Sequence, residues 1–123
     1  MVLRIRTLAR APVRRTPRGE MNGLERRYAD RLEVCKQRGE IAQFWFEGMK
    51  LRLADKCWFS VDFMVQLIDG TIELHECKAL WSNGKHSGYD DSRIKIRVVA
   101  ETYPFRLVLA MWSKKTGWTF EDF

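Results

Sequence analysis

The sequence predicts one α/β (α+β) domain in the order α-β-β-β-α-β, and three observations carry that prediction. A punctuated amphipathic segment comes first, three aromatic and β-branched runs joined by short turns follow, and a second helical segment leads into a nearly all-apolar run.

In "NGLERRYADRLEVCKQRGE", Leu24, Tyr28, Leu32 and Cys35 recur at helical spacing. Asn22 supplies an N-cap with Glu25 three residues on, and Gly39 supplies a stop, which predicts a helix over about 23 to 38. Read locally, Glu25 completes a capping box. From 41 to 79 the runs "IAQFWFEGMKLRL", "CWFSVDFMVQL" and "TIELHECKAL" predict three antiparallel strands, separated by "ADK" and "IDG". "WSNGKHSGYDD" is polar and aperiodic, a mobile loop by composition. It leads into "DSRIKIRVVAETY", a helix capped by Ser92 or Asp91 with Ile94, Val98 and Thr102 on one face, ended by Pro104. "FRLVLAMW" then reads as a buried strand and "GWTFEDF" as a short last one.

A chain of 123 residues with 46% apolar residues suits one compact core. The net charge of +6 is uneven, because residues 1 to 20 carry six Arg against Glu20 alone and so hold +5 of it. Their composition predicts a flexible basic arm ahead of a single domain over 21 to 123, and phosphate is the natural partner for arm residues such as Arg14 and Arg15. Arg4, Arg6 and Arg10 interrupt the apolar core that a secretory signal needs. No run approaches the roughly 18 apolar residues of a membrane span, so a soluble protein with no membrane partner is expected. Cys35, Cys57 and Cys77 are odd in number and widely spaced, which argues against a zinc site or a disulfide framework and for reduced thiols in a cytoplasm.

The third strand breaks its own pattern. The face that begins with Ile72 and Leu74 continues through Glu76 and Lys78, and the preceding strand places Asp62 among Phe59, Val61, Phe63 and Val65. Whether Asp62 meets Glu76 depends on the turn. With Asp69 and Gly70 as a two-residue turn, Asp62 pairs with Cys77 and points away. With Ile68, Asp69 and Gly70 as a three-residue loop and Gly70 as a bulge, Asp62 lies opposite Glu76. Carboxylates so opposed, about 5 Å apart, repel, and desolvating them costs several kcal/mol unless a cation compensates. Mg²⁺ suits a site with few carboxylates and several retained waters. Lys78 beside it would orient a water or stabilise charge on a phosphate oxygen. As isolated residues, Asp62 and Glu76 would be solvent-facing positions and Lys78 an edge-strand charge.

"VDF" at 61 to 63, thirteen residues after Asp62, and "ECK" at 76 to 78 together resemble the PD-(D/E)XK nuclease superfamily, with Val61 where the motif has Pro. The element order is similar to that superfamily's restriction-endonuclease-like core, a mixed central sheet flanked by helices, over roughly residues 22 to 112. "NGLERRYADRLEV", "KLRLADKCWFSVDFMVQLIDGTIELHECKALW" and "RIKIRVVAETYPFRLVLA" resemble a group of small phage and prophage proteins assigned to it. The resemblance implies a Mg²⁺- or Mn²⁺-dependent DNA endonuclease, with branched, flapped or single-stranded DNA as candidate substrates. Asp62, Glu76 and the main chain of Cys77 would be ligands, and Lys78 would position the attacking water. Glu25 matches the first-helix Glu that completes the site in many members, including Holliday-junction resolvases. The small junction-cleaving members act as dimers, which implies a homodimer. A phage or prophage origin would place the protein in the cytoplasm of a bacterial host.

Nucleic-acid contacts are expected from Arg93 and Lys95 at the start of the second helix and from Lys85 in the preceding loop. Lys95 resembles a basic helix position of the family, whereas Arg97 reads as a solvated helix face. Trp81 could stack on an unpaired base or cap the core. Two other classes compete with the nuclease. One is a non-catalytic nucleic-acid-binding protein that uses the basic arm. The other is a phage protein engaging a host factor through "SNGKHSGYDD".

Overall fold

Asn22 and Glu25 start the first helix by exchanging bonds. The Asn22 side chain accepts the Glu25 N–H at 2.8 Å, and the Glu25 carboxylate accepts the Asn22 N–H at 2.9 Å. The computed structural model describes residues 19–86 and 88–123. The expected arm, with Arg14 and Arg15, falls almost wholly outside them. Helix α1 spans Gly23–Gln37, close to expectation, and buries Tyr28 and Leu32. Gly39, at φ +75, lets the chain reverse there as Glu40 N–H donates to the Cys35 carbonyl at 2.9 Å.

Each of the next two runs breaks in the middle. The first becomes β1, Ile41–Phe46, and β2, Lys50–Ala54. The second becomes β3, Cys57–Ser60, and β4, Phe63–Leu67. β1 pairs with β4 and β2 with β3, both antiparallel, so the four are halves of one bent hairpin. Glu47 N–H to the Asp62 carbonyl at 2.8 Å and Val61 N–H to the Met49 carbonyl at 3.2 Å stitch the bend. Gly48 is required there, since a Cβ on it would stand 2.9 Å from the Trp45 Cβ. The run Phe59, Val61, Phe63, Val65 keeps its period of two across the bend but changes partners. Phe59 and Val61 join one core with Ile96 and Val99, whereas Phe63 and Val65 join another with Tyr28 and Leu32.

Strand β5, Ile72–Ala79, pairs with β4 in the register Met64 to Leu74 and Gln66 to Ile72. The turn is the three-residue loop Ile68-Asp69-Gly70. Leu67 N–H bonds the Thr71 carbonyl at 2.8 Å, Gly70 N–H bonds the Leu67 carbonyl at 3.0 Å, and Gly70 sits at φ +90. Helix α2, Tyr89–Thr102, carries the chain to β6, Arg106–Ser113, parallel to β5, and β7, Gly117–Asp122, closes the edge antiparallel to β6. The result is a mixed α/β fold. A five-stranded mixed sheet in the order β1-β4-β5-β6-β7 carries α1 on one face, while α2 and the two-stranded β2-β3 hairpin share the core of the other. Among the described residues, no helix is long and apolar enough to cross a membrane.

Three local expectations are corrected. Helix α2 begins earlier than Asp91 or Ser92, because Gly88 at φ +63 turns the chain into it and Asp90 and Asp91 in its first turn favour the positive end of the helix dipole. Its buried face is Ile96 and Val99, not Ile94 and Val98, and Ile94 is 54% exposed. The loop before it is tied down at its base. Leu80 bridges His86, Trp81 N–H bonds the Lys85 carbonyl at 2.6 Å, and His86 is fully buried.

The face of β5 that reads as solvent-facing is also buried. Glu73 and His75 are 5% and 9% exposed, because α1 covers them. Tyr28 O–H and His75 Nδ1 stand 2.6 Å apart, and His75 Nε2–H donates to Glu73 Oε1 at 3.1 Å. Arg106 Nη1 reaches Glu73 Oε2 at 2.7 Å, and the same guanidinium holds Asp122. The chain of bonds satisfies every charge that burial would otherwise strand.

Two outcomes follow. Tyr28→Phe, which deprives a buried imidazole nitrogen of its partner, lowers urea-measured stability by about 1–3 kcal/mol. His75 and then Arg106 hold the Glu73 carboxyl below its ordinary 4.5, so its stabilisation is complete above that value and is lost as pH falls through the depressed one. Glu73→Gln is therefore less stable than the parent at pH 7, and acid-unfolding curves show the gap closing as pH falls below the ordinary carboxyl value and through the depressed one.

Candidate functional site

The site forms where β4 leaves β5. The β4-β5 ladder ends at Phe63 and His75, while β5 runs on to Ala79 with β6 as its strand partner. In this register Cys77 is the residue whose N–H and C=O face β4 and would pair with Val61. Val61 has turned away to bond Met49, and the Asp62 side chain replaces it. Asp62 Oδ2 accepts the Cys77 N–H at 2.8 Å, and Glu76 Oε1 accepts the Asp62 N–H at 3.0 Å. The three-residue loop has put Asp62 opposite Glu76, with the Asp62 carboxylate held by the Cys77 N–H and the Glu76 carboxylate by the Asp62 N–H. Lengthening or shortening that loop by one residue would send one of them to the far face.

Glu76 is 7% exposed, Asp62 half-buried, and Glu25 sits at the first turn of α1 with its carboxyl beside that of Asp62. Burial raises all three carboxyls. The Glu76 carboxyl stands well above its ordinary value, from burial first and then from the charge of Asp62, with Lys78 opposing. For Asp62 the Cys77 N–H is the main counterweight to burial. Glu25 thus does two things that read as alternatives in the sequence, capping α1 and joining the acidic group. Lys78 opposes the charge of Asp62 and Glu76 and burial still raises both carboxyls, so the cluster is short of positive charge when ionised.

The donors suit a hard cation. The Cys77 thiol packs in the α1 core with Tyr28 and Phe63, and burial pushes its pKa up, so position 77 offers the cluster its carbonyl oxygen rather than sulfur. Two carboxylates and a carbonyl would leave several waters on a Mg²⁺ or Mn²⁺ ion. Among the described residues no three His, Cys, Asp or Glu side chains are arranged as a metal cage, so such a site depends on the carbonyl and on waters.

The expected nucleic-acid contacts divide. Arg93 is bound two-toothed by Glu121, at 2.8 and 2.5 Å, which the sequence concealed because the partners lie 28 positions apart. Arg97 is exposed and lies near the Phe123 ring, Lys95 is half-buried on the side of α2 that carries Val99, and Lys85 and Trp81 are exposed in the tied loop. Sequence reasoning missed the Tyr28-His75-Glu73-Arg106 chain behind the site. Tyr28 inside an apolar helix stripe was its only signal.

Compared with protein-family models, characterised proteins and solved structures, the chain finds no match.

The electrostatics predict a pH-dependent cost. Glu76→Gln keeps an acceptor for the Asp62 N–H and removes a charge. A carboxyl raised by folding destabilises the protein once it is ionised, so in EDTA the variant unfolds at a higher temperature than the parent at pH 8, by the equivalent of about 1 kcal/mol or more. The difference shrinks as pH falls toward 4.5.

Proposed function

We propose that the protein is a Mg²⁺- or Mn²⁺-dependent DNA endonuclease of the PD-(D/E)XK type, with that superfamily's restriction-endonuclease-like core. The observation that carries the reading is the gap beside β5. There Asp62, Glu76 and the Cys77 carbonyl turn oxygens toward one place and Lys78 stands next to them.

Asp62, Glu76 and the Cys77 carbonyl would hold the ion, with Glu25 completing the set through its neighbour Asp62. Such an ion would supply positive charge at the phosphate and lower the pKa of water there. The Lys78 ammonium orients the attacking water and stabilises negative charge on the phosphate. Hydrolysis adds that water to phosphorus and releases one DNA oxygen, so no redox partner is needed. The His75 bond to Tyr28 sets the rotation of α1, and with it the position of Glu25 one turn earlier. Branched, flapped and single-stranded DNA are the substrates to try first, and a homodimer is the assembly the resemblance implies.

Purified protein should nick or cut plasmid, single-stranded or four-way-junction DNA with Mg²⁺ or Mn²⁺, and EDTA should stop it. Glu76→Ala and Lys78→Ala should each lower the rate about 100-fold or more. Parental rates in either variant would sink the site assignment, and metal-independent cutting would sink the mechanism.

A further inference from the structure

The β2-β3 hairpin has an inner and an outer face. The inner face is built to stay in place. Leu51 and Phe59 are buried in the core shared with α2, Leu53 packs against it, and the Tyr103 hydroxyl donates to the Arg52 carbonyl at 2.7 Å. On the outer face Lys50 pairs with Ser60 and Arg52 with Trp58, and all four side chains are exposed. Lys56 adds a third cation at the turn, and Asp55, 3.8 Å from Arg52, is the hairpin's single carboxylate.

We propose that this outer face binds single-stranded DNA, with Trp58 stacking on an unpaired base and Lys50, Arg52 and Lys56 holding the flanking phosphates. The proposal rests on the endonuclease reading only for the choice of DNA as polymer. Trp58 is 49% exposed on a strand whose other large side chain, Phe59, is buried, so core packing does not account for its ring. The Lys50 Nζ lies 5.6 Å from the ring centroid, where it can pair with a phosphate next to a stacked base. Lys56 occupies a left-handed conformation, φ 57, that glycine adopts without strain, so the position bears a conformational cost and offers a cation in return. Stacking needs an exposed base face, and this selects an unpaired strand over a duplex. The location is apt. β3 runs from Trp58 through Ser60 directly to Asp62, so a strand lying along the hairpin leads to the carboxylates.

The test is fluorescence anisotropy of a labelled oligo-dT in EDTA, which reads binding without cleavage. Trp58→Ala should weaken binding about tenfold and Trp58→Phe should recover most of it. Replacing Lys50, Arg52 and Lys56 together by Ala should reduce the salt-dependence slope by about 2. Lys56→Gly should raise Tm while lowering that slope by about 0.7, an outcome that no folding defect can imitate. The proposal is overturned if the hairpin variants bind as tightly as the parent, if only removal of residues 1 to 20 weakens binding, or if RNA binds and DNA does not. Hairpin-dependent binding without metal-dependent cleavage supports the proposal while refuting the nuclease reading. Cleavage with hairpin-indifferent binding does the reverse.

Discussion

An Asp62 carboxylate oxygen, 2.8 Å from the Cys77 N–H, occupies the place where a neighbouring strand would offer its carbonyl. A buried N–H without an acceptor costs about as much as a lost hydrogen bond, so a strand cannot simply walk away from its partner. The side chain covers that loss. It releases Val61 to bond Met49, and from that release follow the bend in the hairpin, the transfer of Phe59 and Val61 to the α2 core, and the outward face of β2-β3. The same exchange gathers the carboxyls, because Glu76 returns a bond to the Asp62 N–H at 3.0 Å. Architecture and candidate site depend on this one pair of side-chain to main-chain bonds.

The sheet accommodates this because β5 is buried on both sides. Its even-numbered face goes from Leu74 in the core to Glu76 and Lys78 at the rim, and its odd-numbered face carries Glu73, His75 and Cys77 under α1. Charges occur on both faces, but they are handled differently. Behind the sheet, hydrogen bonds from His75 and Arg106 hold the Glu73 carboxylate, and its pKa falls. In front, burial and mutual repulsion outweigh Lys78, and the Glu76 pKa rises. A closed network stabilises its charges, whereas one short of positive charge is penalised by each carboxyl that ionises.

What was legible in the sequence was local. Asn22, Glu25 and Gly39 announce α1 through chemistry within a turn, and Gly70 after Ile68-Asp69 permits the loop that aligns Asp62 with Glu76. The strand breaks were hidden because apolar alternation runs unbroken from Phe59 to Val65 while the chain moves between two cores. In "RIKIRVVA" the sets Ile94 with Val98 and Ile96 with Val99 both fit a helix face, and only the position of the sheet chooses between them. Local sequence does not mark Glu73 and His75 as buried, since a polar residue opposite a core residue is usually solvated. Their burial requires Tyr28 and Arg106, which are 47 and 33 positions away from the residues they bond.

The Cys77 side chain lies in the α1 core, 5% exposed, while its backbone faces the carboxyls. An alanine scan would therefore score position 77 as a packing residue, since any side chain leaves the carbonyl in place. A functional contribution made by main chain is silent to side-chain genetics and could drift freely among small apolar residues over evolutionary time. Replacing the peptide unit itself, by an ester through chemical synthesis, is the kind of change that would expose it.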